Sequence, residues 1–203
     1  MAPIVSEEYK EKMKSKILNS ALECFAQKGF STTTINEIGA HSGISKGSIY
    51  NYFVSKDDIY LELLNRATEN DKIDITKNFS KLRSSYSKIS FLFDVFLTLD
   101  PFEPKRAGQN VVFYEFTFHC TRSKRLLELI TDRGNFLVNL IKETLEKGQE
   151  VGEINPNIDT QVYAHKFWLI LDGVSLQTIY KDFPYYDVLS EMKEMYLEEI
   201  KHK

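Results

Sequence analysis

The chain has 203 residues, of which 42% are hydrophobic and 27% are charged. This length suits one large domain or two small ones, and the composition is that of a globular chain able to bury a core. The net charge of −3 at pH 7 excludes a uniformly basic nucleic-acid binder, so any surface for nucleic acid must be a local patch.

The sequence predicts a cytoplasmic protein. No run of about 18 apolar residues is present, and residues 1–14 lack the apolar stretch of a signal peptide. Cys24 and Cys120 lie far apart, for which a reduced cytosolic state is expected. A redox role for Cys120 stays open beside its ordinary use as a packing residue.

Apolar residues recur mainly at spacings of three and four, which predicts an all-α fold of about nine helices. The first four are expected at about 6–28, 34–41, 46–53 and 56–80. The other five are expected at about 85–99, 104–120, 122–148, 158–181 and 186–201. We predict an N-terminal three-helix domain over 1–55 and a larger helical domain over 56–203, with helix 56–80 connecting them.

Capping and turn residues delimit the first helices. Gly29 follows the first helix at the position that favours left-handed backbone. Thr34 and Glu37 fit a capping box that opens the second helix. Gly43 can supply the positive φ of a tight turn, and Ser45 caps the third helix.

Residues 34–53 have the plan of a helix-turn-helix, in which two short helices are joined by a turn containing glycine. The second helix of this plan enters the major groove of DNA, and the first braces it. Ile49 and Phe53 predict its inner face. The outer face and exposed N-terminus would carry Lys46, Gly47, Ser48, Tyr50 and Asn51. A plain helical hairpin with solvated polar faces is the alternative.

The residue types on this helix favour DNA. Tyrosine hydroxyls, here of Tyr50 and Tyr52, can donate to phosphate, and their rings can pack on thymine methyls. Gly47 costs the helix about 1 kcal/mol relative to alanine, which close approach to a base or phosphate would offset. Lys46 and Lys56 oppose helix dipoles by about 0.3–1 kcal/mol each, a placement that phosphate binding would explain.

The charge of the N-terminal segment gives no general attraction to DNA. Residues 1–66 hold eight Lys and Arg against eight Asp and Glu. Affinity must therefore come from geometry and from lysines that lie on one side, namely Lys10, Lys12, Lys14, Lys16, Lys46 and Lys56.

The runs GFSTTTINEI from Gly29 and SGISKGSIYNYFVSKDDI from Ser42 closely resemble the DNA-binding signature of the TetR family of transcriptional regulators. The resemblance extends without a gap from Ile17 to Leu64. Gly39 and Ser42 stand where alanine is usual, and both are small enough to keep the packing between the second and third helices.

The resemblance implies a role for each matching residue. It implies phosphate contacts for Thr34, with Thr33 as its neighbour, and for Lys56. Base contacts are implied for Lys46 and Gly47, and Ser48 could join them. The two tyrosines would contact phosphate or base edges. The whole predicted set is Thr33, Thr34, Ser45, Lys46, Gly47, Ser48, Tyr50, Asn51, Tyr52 and Lys56.

Aromatic residues are dense beyond about residue 80 and have two interpretations. Most fit an ordinary aromatic core, but the family implies an inducer pocket, and aromatic walls suit an apolar, aromatic or cationic ligand. The predicted pocket residues are Phe96, Phe113, Tyr114, Phe118, Phe136, Phe167 and Trp168. Polar groups that could orient the ligand are Glu115, His119, Asn135, Asn139, His165, Asp172 and Gln177.

The last two helices predict a homodimer, because their apolar stripes need a partner and the family pairs them with a second subunit in a four-helix bundle. The first stripe comprises Val162, Ala164, Leu169, Gly173, Val174 and Ile179. The second comprises Val188, Met192, Met195 and Tyr196. A twofold protein also suits a palindromic operator, since one short helix reads too few base pairs to be selective.

The predicted function is therefore that of a ligand-responsive repressor that binds a DNA operator as a homodimer. No phosphate loop, metal-ligand spacing or nucleophile–base signature is recognisable, so we expect neither an enzyme nor a metal or other cofactor. The alternatives are a TetR-like protein that organises DNA and a small helical enzyme.

Overall fold

The computed structural model describes residues 6–202, and their fold is all-α as predicted. Residues 6–202 form no β-strand, and their only β-type pairing is an isolated bridge between Ile154 and Lys201. The helices of this part are α1 (Glu7–Lys28), α2 (Ile35–Ser42), α3 (Lys46–Tyr50), α4 (Lys56–Phe79), α5 (Ser85–Leu97), α6 (Pro104–Cys120), α7 (Lys124–Glu150), α8 (Thr160–Gln177) and α9 (Tyr185–Ile200). Residues 1–5 and 203 lie outside the described residues. The predicted domains include all of them, and the segment compared with signal peptides includes 1–5.

Helix boundaries follow the predicted capping signals. Thr34 accepts from the Glu37 N–H, and the Glu37 carboxylate accepts from the Thr34 N–H at 2.8 Å, which forms the capping box of α2. Ser45 caps α3 through its side chain. Gly43 adopts the left-handed conformation, with φ 66° and ψ 23°. Gly29 also has positive φ, but its ψ of 159° is extended rather than left-handed helical, so that part of the prediction is wrong.

Two helices are shorter than predicted. α3 ends at Tyr50 instead of Phe53, because the chain turns there toward α4, although the Phe53 N–H still donates to the Ile49 carbonyl at 3.0 Å. α8 ends at Gln177 and continues as a turn in which the Tyr180 N–H donates to the Gln177 carbonyl at 3.0 Å.

The chain divides into two compact units. The first contains the chain up to Asp71 together with Pro104–Phe118, and the second contains Lys72–Glu103 and the chain from His119 onward. This division by compactness differs from the predicted domains 1–55 and 56–203, which stay a prediction. It differs because the first part of α4 and most of α6 pack with the N-terminal helices.

The core of the first unit is built around an aromatic cluster. Phe25, Phe30, Tyr60 and Phe116 are buried, and their ring centroids lie 4.4–5.7 Å apart. Burial of such a side chain contributes about 1.5–3 kcal/mol to stability. Because Phe116 belongs to α6, this helix is part of the same core as α1 and α4.

The core of the second unit joins α5, α7, α8 and α9. Phe93 packs on Phe167 at 4.7 Å and on Tyr196 at 5.5 Å between ring centroids. Burial raises the pKa of Tyr196, whose hydroxyl donates to the Tyr163 carbonyl at 3.0 Å. Among residues 6–202, none of the helices is both long and apolar enough to cross a membrane.

The capping box of α2 makes stability depend on pH through Glu37. The Lys28 ammonium, 2.6 Å from this carboxylate, and the Thr34 donors lower the pKa of Glu37 to about 2. A folded pKa below the unfolded value of about 4.3 means that the stabilisation is present above pH ~4.3 and is lost as the pH falls toward 2. We expect Glu37→Gln to lower the Tm at pH 7 and to flatten its fall in this acidic window, as measured by thermal unfolding at a series of pH values.

Glu8→Gln, at an exposed carboxylate of α1, is the matched control. It should leave the wild-type pH profile unchanged. Equal acid sensitivity in the Glu37 variant and the wild type would contradict the assigned role of the capping box.

Candidate nucleic-acid interface

α2 and α3 pack closely through small and aliphatic residues. Ile38, Ile44 and Ile49 are buried between them. A Cβ placed on Gly39 would lie 2.8 Å from the Ile44 carbonyl oxygen, so the turn rests directly on the backbone of α2. Glycine at this position lets the two helices approach more closely than alanine would, which the sequence did not indicate.

One face of α3 is open to solvent. Lys46, Gly47 and Asn51 are exposed, and Tyr50 is 47% exposed, whereas Ile49 faces the core. No hydrogen bond or ion pair within residues 6–202 holds the Lys46 ammonium. The predicted exposure is confirmed for these four residues, whereas Ser48 is only partly exposed, and contact of this face with DNA stays a prediction.

Nothing in the described part of the chain requires glycine at position 47. A Cβ built there would meet no atom within 4 Å, and the residue is not among the glycines with positive φ. Neither packing nor backbone conformation therefore requires glycine. A close approach by another molecule would require it.

Thr34 and Ser45 cap α2 and α3, and Ser48 interacts with the second of these caps. The Ser45 and Ser48 hydroxyl oxygens lie 2.8 Å apart, and the Thr34 hydroxyl donates to Glu37 at 2.9 Å. These three side chains and that of Tyr52 are at least partly exposed. The contacts of these four residues with DNA stay predictions.

Thr33 is placed differently from the rest of the predicted set. Its side chain is 1% exposed, and its hydroxyl donates to the carbonyls of Gly29 at 2.7 Å and Cys24 at 3.3 Å. A phosphate cannot reach this hydroxyl unless the loop rearranges. We therefore correct its role from DNA contact to support of the loop.

Lys56 also has internal partners. Its ammonium donates to the carbonyls of Phe30 at 2.6 Å, Thr33 at 2.9 Å and Ser31 at 3.1 Å. It also lies 4.5 Å from the centroid of the Phe30 ring, and burial lowers its pKa. All three ammonium hydrogens are engaged, so the structure assigns Lys56 to the loop and not to a phosphate.

Glu115 was expected to orient a ligand, and the structure gives it another partner. Its carboxylate accepts from the backbone N–H of Phe30 at 2.5 Å. The two residues are 85 positions apart, so no local pattern in the sequence could have indicated this bond.

The predicted pocket residues fall in both compact units. In the second unit, Phe167 is buried in the core and the Trp168 indole N–H donates to the Leu137 carbonyl at 3.0 Å. Phe96 is partly buried, and the Lys72 ammonium lies 4.5 Å from the Phe136 ring. These contacts are those of core and surface packing, and the lining of a ligand pocket by these residues stays a prediction.

The remaining three pocket candidates lie on the part of α6 that belongs to the first unit. The rings of Phe113 and Tyr114 are 5.4 Å apart. Phe118 is 71% exposed, the most open of all seven candidates. An exposed ring of this size does not belong to the core of its own unit.

α8 and α9 present an apolar surface of the second unit. Val162, Leu169 and Leu176 are exposed and recur every seven residues along α8. An open groove of about 430 Å³ runs beside them, lined chiefly by Leu169, Ile170, Val174, Phe183, Val188 and Met192. None of the seven aromatic pocket candidates lines it, whereas Gln177, one of the polar groups predicted to orient a ligand, does.

The predicted partner-facing stripes mix two helix faces. Ala164, Val174 and Tyr196 are buried against the core of their own unit, whereas Leu169 and Met195 are exposed. The error arises because α8 and α9 are apolar on both sides, so periodicity alone does not separate the inner face from the outer one.

Within residues 6–202, no group of three or more His, Cys, Asp or Glu side chains is placed to hold a metal ion. Cys120, considered for a redox role, is buried, as is Cys24.

Two family models match the chain. Residues 17–63 match the model described as bacterial regulatory proteins of the tetR family, and residues 100–188 match a tetracyclin repressor-like C-terminal domain. The first range nearly coincides with the signature recognised in the sequence.

Individual proteins resemble the chain over almost its full length. The uncharacterized HTH-type transcriptional regulator YfiR of Bacillus subtilis is 27% identical, with 98% of this chain and 97% of that protein covered. A solved transcriptional regulator from Saccharomonospora viridis in complex with choline has a TM-score of 0.82 at 19% identity, with 95% of this chain and all of that chain covered.

A second solved structure, the regulator FadR from Bacillus subtilis in complex with stearoyl-CoA, has a TM-score of 0.77 at 17% identity and covers 92% of this chain and 98% of its own. At these identities the two structures show the fold. The two family models, which match residues 17–63 and 100–188, place this protein in the TetR family of transcriptional regulators.

Proposed function

We propose that the protein is a repressor that binds a palindromic operator in the cytoplasm as a homodimer and releases it when a small molecule binds. The observation that carries this proposal is the open face of α3. There Lys46 and Tyr50 are exposed, and Gly47 has no neighbour that explains its lack of a side chain.

The arrangement of α2 and α3 supports insertion of α3 into the major groove. Ile49 anchors α3 to the core, so the opposite face can approach DNA without losing internal contacts. Tyr50 and Asn51 could contact phosphate and base edges, and Lys46 adds a positive charge. At Gly47 a base or phosphate could approach the backbone closely.

The α8–α9 surface supports the homodimer. A row of exposed leucine and valine side chains on one helix is an unfavourable solvent surface for a monomer. A second copy, antiparallel or crossed, would cover both the row and the groove beside it in a four-helix bundle. Such a dimer would hold two α3 helices one turn of DNA apart, about 34–36 Å.

We propose that the effector is apolar, aromatic or cationic. The similar structures hold choline in one case and stearoyl-CoA in the other. In this chain Phe96 of the second unit is a candidate for its contact surface. Binding would move α4 and change the distance between the two α3 helices, and release requires that the effector bind the two spacings with different affinity.

Selection of bound duplexes from a random DNA pool tests the operator. A recovered palindrome with half-sites about 10 base pairs apart would support the proposal. Gel shifts on that sequence, with and without libraries of apolar and aromatic compounds, then test release. A ligand that binds tightly and leaves operator affinity unchanged would refute the switch.

We expect Lys46→Ala and Tyr50→Phe each to weaken operator binding by about tenfold, a loss of one or two polar contacts to DNA. Only the lysine variant should show a shallower slope of log Kd against log salt concentration, by about one unit. The reason is that it removes one positive charge that would neutralise a phosphate. Fluorescence anisotropy at several salt concentrations measures both quantities. Wild-type affinity in both variants would exclude α3 as the DNA-binding helix.

The glycines of α2 and α3 make a matched pair. We expect Gly47→Ala to raise the Tm slightly, since alanine favours a helix by up to about 1 kcal/mol, and yet to weaken operator binding by at least tenfold. Gly39→Ala should instead lower the Tm, because its Cβ would press on the Ile44 carbonyl at 2.8 Å. Unchanged operator affinity in the Gly47 variant would mean that DNA does not approach this backbone.

We expect Leu169→Glu to dissociate the homodimer, because it places a charge at the centre of the apolar row. Sedimentation velocity should show monomers at micromolar concentration, and operator affinity should fall by about a hundredfold as the second half-site is lost. Glu128→Gln, at an exposed position of α7, is the control and should remain dimeric. A dimeric Leu169→Glu protein would place the interface elsewhere.

A further inference from the structure

Two charged side chains from distant parts of the chain hold the loop between α1 and α2. Lys56 of α4 binds three of its carbonyl groups, and Glu115 of α6 accepts from its Phe30 N–H at 2.5 Å. The loop ends at Thr34, the first residue of the capping box and a residue for which the family resemblance predicts a phosphate contact.

We propose that Glu115 is a positioning residue for operator binding: its carboxylate fixes the loop from Gly29 to Thr34 and thereby sets the position of α2 and Thr34 against DNA. This inference rests on the proposed DNA-binding function. Glu115 touches no DNA in this arrangement, and it acts through the Phe30 N–H.

The loop is shaped to receive the carboxylate. A Cβ on Gly29 would lie 3.0 Å and 3.1 Å from the two Glu115 carboxylate oxygens, so any side chain there would compete with them. Gly29 also has a φ of 86°, which other residues rarely adopt. One glycine therefore provides both the backbone conformation and the space for Glu115.

α6 is fitted to the first unit along one face. A Cβ on Gly108 would lie 2.4 Å from the Ala26 carbonyl oxygen, which means that α6 touches the backbone of α1 directly. Val112 and Phe116, four and eight residues further along the same face, are buried. The packing of Val112 and Phe116, which precede and follow Glu115 on α6, therefore fixes the position from which Glu115 reaches the loop.

Glu115 lies within the range 100–188 that matches the family's C-terminal domain. Its bond partner lies within the range 17–63 that matches the DNA-binding model. This hydrogen bond therefore joins the two matched regions, and both of its residues belong to the first compact unit.

Removal of the Glu115 charge should change the affinity for DNA in opposite directions under a purely electrostatic role and under a positioning role. Loss of a carboxylate from a DNA-binding unit should tighten its hold on phosphates if charge alone matters. If Glu115 positions the loop, its loss should weaken binding. The test therefore compares Glu115→Ala, Glu115→Gln and the control Glu8→Gln, which removes one negative charge from an exposed site of α1.

Full-length variants are to be titrated with the duplex selected by the wild-type protein, and exchange of the Phe30 amide hydrogen is to be followed without DNA. We expect Glu115→Ala to bind about tenfold more weakly and its Phe30 amide to exchange faster. Glu115→Gln keeps an acceptor oxygen and should lose about threefold, since a neutral acceptor is weaker than a charged one. Glu8→Gln should bind at least as tightly as wild type.

The salt dependence of log Kd separates positioning from contact, and it should stay at the wild-type slope in both Glu115 variants. Affinity equal to that of Glu8→Gln, with unchanged Phe30 exchange, would overturn the proposal. If Glu115→Ala does not fold, the same criterion applies to Glu115→Gln. If the wild-type protein selects no DNA, the proposed function fails instead, and the exchange measurement still reports whether Glu115 holds the loop.

Discussion

The loop between α1 and α2 has to satisfy its backbone hydrogen bonds without forming a helix. Its carbonyls turn toward Lys56, one N–H turns toward Glu115, and the Thr33 hydroxyl binds the end of α1. A buried backbone group left without a partner costs about 1–3 kcal/mol, comparable to a large part of a domain's net stability. The position of α2, and through it that of α3, depends on these bonds. Lys56 and Thr33 serve the DNA-binding unit by shaping it.

The charges of the first unit are arranged so that a nearly neutral segment can bind a polyanion. Glu37 is paired with Lys28 at 2.6 Å, and the Arg66 guanidinium binds Glu11 and Glu62. Exposed pairs of this kind add little stability, but each one neutralises a carboxylate that would otherwise repel phosphate. Lys46 is not used in this way within residues 6–202, so its charge is available at the open face of α3.

The sequence predicted those features that depend on neighbours in the chain. The capping box of Thr34 and Glu37, the cap at Ser45 and the inward position of Ile49 are local patterns, and the structure has all of them. Partners distant in sequence were not predictable. Lys56 has the residue type and helix position of a phosphate ligand, yet its three acceptors come from a loop 23 to 26 residues away. The partner of Glu115 is further still, and aromatic residues such as Phe167 serve a core and a pocket equally well by composition.

Gly39 and Gly47 show why the same residue type can require two different explanations. In sequence both are glycines inside short helices, and both carry the same cost of about 1 kcal/mol relative to alanine. A Cβ on Gly39 would lie 2.8 Å from the Ile44 carbonyl oxygen, so the cost is offset by close packing of α2 on the turn. Gly47 has no atom within 4 Å of its missing Cβ, so packing within the protein does not offset the cost there. A helix exposed to solvent would be more stable with alanine at this position. Packing within the described residues therefore does not explain this glycine, and under the proposed function the explanation is a groove of DNA whose phosphates or base edges approach the backbone here.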